Sequence, residues 1–249
     1  RSFPRSSWAG PGGALPSRHS WGVLDDPSAF PPPRKATGGS SGSSFAGSPG
    51  GSRRRPMMEL LDVDVFQTSD EDPIFQVYDH PSLAPQHFRR QGDQRFLFVV
   101  NWIIDRYQQV VTSAINPPCH DAPPGAAAEW HMWSRFLSQP PAKRWRRLRV
   151  CAACFEGPFI VHELLRAMKV TQVSKFLPSS SEGEGHLEVS IHLTTSEMRR
   201  LRVVFQHSYH LIVNGLAYYL CGDAPGEPSE QLLFAHYSAF VDVQRVRQV

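Results

Sequence analysis

From Pro56 onward, apolar and polar residues follow one another with the periods of secondary structure. Leu61, Val63 and Val65 alternate with Asp62 and Asp64, which predicts a strand with one face buried. Residues 74–78 read as a second short strand. Residues 95–104 (RFLFVVNWII) and 107–115 (YQQVVTSAI) are β-rich runs joined at Asp105-Arg106, the pattern of a hairpin. Trp130, Trp133, Phe136 and Leu137 recur at helical spacing, a short helix whose aromatic stripe faces a core. Leu148, Val150, Ala152 and Cys154 alternate against Arg147, Arg149 and Cys151, so residues 147–155 predict another strand. Glu156-Gly157-Pro158 then turns the chain, and Pro158 suits the first position of a helix running to about Met168. Residues 170–177 read as extended and residues 179–185 as a loop. Leu187, Val189, Ile191 and Leu193 alternate cleanly with Glu188, Ser190 and His192. Thr194 and Glu197 have capping-box spacing, and apolar residues from Leu201 to Leu220 repeat at 3.6 residues, which predicts a long helix stopped by Gly222. A last strand falls within residues 231–243.

This order lacks regular strand–helix alternation. It predicts an α+β fold, a curved and largely antiparallel sheet with the long C-terminal helix packed on one face. The domain spans residues 56–249. Residues 1–55 are dominated by Ser, Gly, Pro and Arg with no periodic apolar face, and are expected to be a disordered tail. Charge follows the same division. The formal net charge is +3, yet residues 1–55 carry eight basic side chains against two acidic ones, a net +6 that leaves −3 for the rest. A mildly acidic folded part argues against nucleic acid as a partner, because phosphate binding needs a concentrated cationic face. The longest apolar run, residues 203–220, is interrupted by Gln206, His207, His210 and Asn214 and falls short of a membrane span.

Few residues group into recognisable chemistry. Cys151 and Cys154 form a C-x-x-C, but a structural zinc site needs four ligands and Cys119 and Cys221 are distant and unpaired. The four cysteines read as reduced thiols of a cytoplasmic protein. His207-x-x-His210 has no evident third ligand, so no metal is expected. Nucleophile-elbow, phosphate-loop and dinucleotide patterns are missing, so neither an enzyme nor a cofactor is expected. The strongest charge feature is Lys143, Arg144, Arg146, Arg147 and Arg149 around Trp145. Cations beside an interfacial aromatic suit an anionic lipid or membrane surface. On a strand, Arg147 and Arg149 would share one face and Arg146 the other. The competing reading is a sheet edge blunted by charge.

Four segments in this order carry a family resemblance: ELLDVDVF from Glu59, FLFVVN from Phe96, EGPFIV from Glu156 and HLEVSIHL from His186. Together they resemble the C-terminal domain of the plant Enhanced Disease Resistance 2 proteins, over about residues 56–249. Phe159 stands where that family usually has Trp, Ser190 where Asp is common, and its upstream R-G-P-x-Y-L segment has no counterpart. The resemblance brings no catalytic residues. The lipid-binding modules that precede this domain in the larger plant proteins are not present here, so the function is read from the residues: a non-enzymatic lipid-associated or membrane-associating module in cytoplasmic signalling or trafficking, with a protein-interaction scaffold as the alternative. A helix on a curved sheet can enclose an apolar ligand cavity, and the basic cluster would then supply the headgroup contact.

Overall fold

Alternating side chains sort onto the two faces of two sheets. The structure, a computed structural model, describes residues 20–23, 56–68, 72–104, 107–115, 126–167, 171–193, 203, 207, 209–239, 241 and 246–249. Its strands are β1 (Ser20–Val23), β2 (Glu59–Gln67), β3 (Phe96–Ile104), β4 (Tyr107–Ile115), β5 (Leu148–Glu156), β6 (Thr171–Gln172), β7 (Leu177–Gly183), β8 (His186–His192), β9 (Val213–Cys221), β10 (Glu230–Ala239) and β11 (Arg247–Gln248). The helices are α1 (Ala84–Arg90), α2 (Ala126–Ser138), α3 (Pro141–Arg147) and α4 (Phe159–Ala167). One sheet runs β1-β10-β9-β5-β6 and the other β11-β2-β4-β3-β8-β7. Pairing is antiparallel except between β3 and β8 and between β11 and β2. No helix among the described residues is long and apolar enough to cross a membrane.

The two sheets face each other across one core. The second sheet contributes Phe98, Val100 and Val111, and the first contributes Leu148, Tyr218 and Phe234. Helix α2 closes one end with Met132, Trp133 and Phe136, and Trp133 meets Phe98 edge-on at 5.6 Å between ring centres. Trp102 Nε1 on β3 donates to Tyr218 Oη on β9 at 2.7 Å, a buried hydrogen bond that ties one sheet to the other. The outer face of the second sheet is also covered, by Val77, Tyr78 and Leu83 packed on Phe66, Leu97 and Val110. Polar groups pin that cover: Asn101 and Gln108 amides donate to the Ile74 carbonyl, and Glu188 accepts from the Tyr78 backbone N–H.

The expected hairpin, the strands at β2, β5, β8 and β10, and the helices at α2 and α4 are present. Several expectations are corrected. The sheet is not single, and no long C-terminal helix packs on it among the described residues: residues 213–221, its expected second half, are strand β9, paired with β10 and β5. The reason is burial on both faces, with Leu216, Tyr218 and Leu220 turned inward and Val213 and Ala217 outward, so apolar residues fall on both sides and the one amide, Asn214, lies in the buried inner row; no polar face is left to reveal a period of two. Residues 194–202, 204–206 and 208 of that expectation lie outside the described residues. Residues 74–78 form no strand and lead into a 3-10 turn at Val77–Asp79. The expected loop at residues 179–185 is largely strand β7, which pairs with β8 along its whole length. Within the expected tail, Ser20–Val23 forms an edge strand on β10, with Trp21 opposite Ser238; the rest of residues 1–55 lies outside the described residues.

Candidate functional site

A small side chain in the inner row of β5 leaves room between the sheets. Ala152 faces inward opposite Leu216 of β9, and around it opens a cavity of about 90 Å³. Trp102, Val150, Phe176, Leu165, Ile212 and Leu216 make most of its wall. The polar lining is confined to Gln109, Thr171, Tyr209 and Asn214. Gln109 sits in the inner row of β4 because it pairs with Trp102, and Asn214 in the inner row of β9 because it pairs with Ser238. The Tyr209 hydroxyl donates to Gln109 Oε1 at 3.4 Å, and Gln109 Nε2 donates to Ser238 Oγ at 3.3 Å. Burial pushes the Tyr209 hydroxyl up from its ordinary pKa, so it stays a neutral donor. Asn214 is only 8% exposed and its Oδ1 has no hydrogen-bond partner. A buried unmade acceptor costs about 1–3 kcal/mol, which a donor entering the cavity would offset.

An engineered apolar cavity of about 150 Å³ takes a benzene ring. The smaller volume between these sheets fits a narrow apolar group rather than a whole lipid. Apolar walls with a few convergent polar groups are the usual composition of a small-molecule site. A second hollow, about 300 Å³, lies on the outer face of the other sheet against Phe75, Ser179, Ser181, Glu188, Ser190 and His192. Its carboxylate is already engaged, since Glu188 accepts from Tyr78 N–H at 2.9 Å and from Ser190 Oγ at 3.1 Å. Glu188 therefore holds the covering segment in place.

The basic cluster is taken apart by the fold. Lys143, Arg144, Trp145, Arg146 and Arg147 lie on α3, not on a strand, so the expected sharing of a strand face by Arg147 and Arg149 does not arise. Trp145 is core. Arg144 is buried, pairs with Glu182 at 2.8 Å and stacks its guanidinium over Phe136 and Trp145. Arg147 Nε donates to the Cys221 carbonyl at 2.8 Å, and its guanidinium pairs with Glu227 at 2.9 Å and Asp223 at 3.2 Å. Arg149 pairs with Glu230 at 2.9 Å. Only Lys143 and Arg146 of the five cations are exposed.

The cysteine pair separates as well. Cys151 packs on the outer face of β5 among Val213, Ala217 and Leu232, whereas Cys154 turns inward against the cluster of Ala152, Val161 and Ile212. Three residues apart on a strand, the two thiols point to opposite faces and cannot share a metal or close a disulfide. Burial raises the Cys154 thiol above its ordinary pKa, away from thiolate chemistry. Cys119 lies outside the described residues.

The apolar cavity expected between a helix and a curved sheet lies instead between two sheets, and its lining residues are not among the candidate site residues named from sequence. Its one visible signal was a polar residue inside an apolar run, Asn214 in LIVNGLAYYL and Gln109 in YQQVVTSAI. Compared with family models, with curated proteins and with solved structures, the chain matches none, so its function is read from its own geometry.

Proposed function

We propose that the chain is a non-enzymatic lipid-binding module, which takes the narrow apolar part of an amphipathic ligand between its two sheets. The observation that carries this reading is the cavity itself: walls of Trp102, Phe176, Leu165 and Leu216, with the unpaired Asn214 Oδ1 among them. A ligand with an apolar body and one hydrogen-bond donor, such as a protonated fatty acid or a long-chain alcohol, would match both features. We place the module in the cytoplasm, where buried thiols such as Cys151 stay reduced. Native mass spectrometry of the purified full chain should find a co-purifying lipid-sized adduct, and the stripped protein should take up a fluorescent fatty acid. A chain that carries no adduct and takes up no fatty acid ends the lipid reading and leaves the protein-interaction scaffold.

A further inference from the structure

We propose that Phe159 and Ile160, on the first turn of α4, act with Leu211 as a lip that inserts into a lipid bilayer beside the cavity. The inference rests on the lipid reading above, but it concerns a different surface and has its own test. Phe159 is 78% exposed, Ile160 68% and Leu211 50%, while Val161 and Leu165 of the same helix turn inward. Val161 and Leu165 are buried with Tyr209 and Ile212, so α4 has its apolar side satisfied and presents two further large apolar groups to solvent. Among the described residues, packing gives no reason for that pair. Exposed apolar side chains are ordinary when scattered singly and informative when adjacent.

The turn before the helix holds them beside the site. Gly157 has φ +147°, and a Cβ there would come within 2.6 Å of Ile212 Cγ2, so only glycine lets the chain pass this close. Ile212 lines the cavity and follows Leu211 in the chain; Leu165, which also lines it, lies on the same helix as Phe159. At 1.5 Å per residue, Phe159 and Leu165 are about 9 Å apart along the helix axis. Lip and cavity are thus built on the same two elements. Size decides what the lip meets. Three such side chains cover a few hundred Å² at most, whereas a stable protein interface buries about 800 Å² on each partner. A bilayer demands no complementary shape, and each inserted side chain contributes by itself.

The test is flotation of the full chain with phosphatidylcholine vesicles, and with vesicles that also contain phosphatidylserine, at low and high salt. The parent should bind both, with little dependence on salt. Phe159→Glu with Ile160→Glu should lower binding by about a hundredfold or more, while the melting temperature and the co-purified ligand stay unchanged. Retained ligand with lost vesicle binding separates this proposal from the cavity reading. Should the charged variant fail to fold, Phe159→Trp decides the matter: brominated phosphatidylcholine should quench its added emission. The proposal is overturned if the double variant binds as the parent does, or if the parent binds no vesicle. It is also overturned if binding needs phosphatidylserine, fades with salt and is lost in Lys143→Glu with Arg146→Glu instead. A parent that self-associates, with the lip variant monomeric, would make the patch a protein interface and equally refute it.

Discussion

Filling the cavity tests both the packing and the function. Ala152→Leu places three more carbons in the inner row of β5, where Ala152 already packs with Ile104, Val161, Leu165 and Ile212. At roughly 24 cal/mol per Å³, a cavity of 90 Å³ corresponds to about 2 kcal/mol of missing packing. Three carbons at about 0.8 kcal/mol each give about the same figure. Ordering the leucine side chain costs about 0.5–1 kcal/mol, and the opening to solvent reduces the gain further. The expected outcome is stabilisation by about 1 kcal/mol, which for a domain of this size raises the melting temperature by about 2–4 °C. Urea unfolding followed by tryptophan fluorescence measures it. Uptake of a fluorescent fatty acid by the same variant should fall by about tenfold or more, because the added carbons occupy the ligand's space.

Two results would refute the reasoning, each at a different step. Destabilisation by about 1–3 kcal/mol would mean that the leucine is overpacked and that the space between the sheets is not available to any ligand. Stabilisation with unchanged uptake would mean that the space is real but that the fatty acid binds elsewhere, and the functional reading would fall while the structural one stood.

Four further outcomes follow from named contacts. Tyr218→Phe leaves Trp102 Nε1 buried without its acceptor and should cost about 1–3 kcal/mol in urea unfolding; no measurable change would show that the bond between sheets is dispensable. Arg147 and Glu227 are each 5% exposed, so Arg147→Met should cost about 3 kcal/mol or more, while the exposed Arg146→Glu should change stability by less than about 0.5 kcal/mol; equal effects would contradict the buried pairing. The Asp62 carboxyl is pushed up to about 7, chiefly by burial and next by the Asp64 charge. Because that folded value exceeds the unfolded one of about 3.9, stability is fullest below about pH 4 and declines as pH rises through 7. Asp62→Asn should remove the decline and exceed the parent above pH 7 by about 1–2 kcal/mol, discounted for the side chain's partial exposure; identical pH profiles would discard this account. Deleting residues 1–55 removes β1 and bares the edge of β10, so the melting temperature should drop by several degrees, whereas an unchanged value would mean that β1 contributes nothing.

What could be read from the sequence tracks where water touches the fold. In β2, Asp62 and Asp64 are partly exposed between the buried Val63 and Val65, and alternation disclosed that strand at once. In β9, both faces are buried, and the same apolar residues fit a helical period as well as a strand. Strand β7 failed for the opposite reason: Ser179, Ser180 and Ser181 carry no apolar signal, and pairing with β8 alone makes them a strand. Long-range partners explain the basic cluster. Five cations in seven residues were plain, but the carboxylates that engage Arg147 and Arg149 lie 80 and 81 residues further along the chain, and no local pattern pointed to them.

The cavity depends on register in the same way. Its wall is assembled from residues as distant as Trp102 and Leu216, and each reaches the interior only because its strand pairs as it does. Displacing β9 by one residue against β5 would send Asn214, Leu216 and Tyr218 to the outer face and bring Gly215 and Ala217 inward. The hydrogen bond from Trp102 to Tyr218 and the stacking of Tyr218 on Phe234, at 4.4 Å between ring centres, exist only in the observed register. Those aromatic contacts therefore fix the alignment that aims Asn214 into the cavity. A polar residue in an apolar run is legible in the sequence, but its meaning depends on which neighbour the fold makes it face.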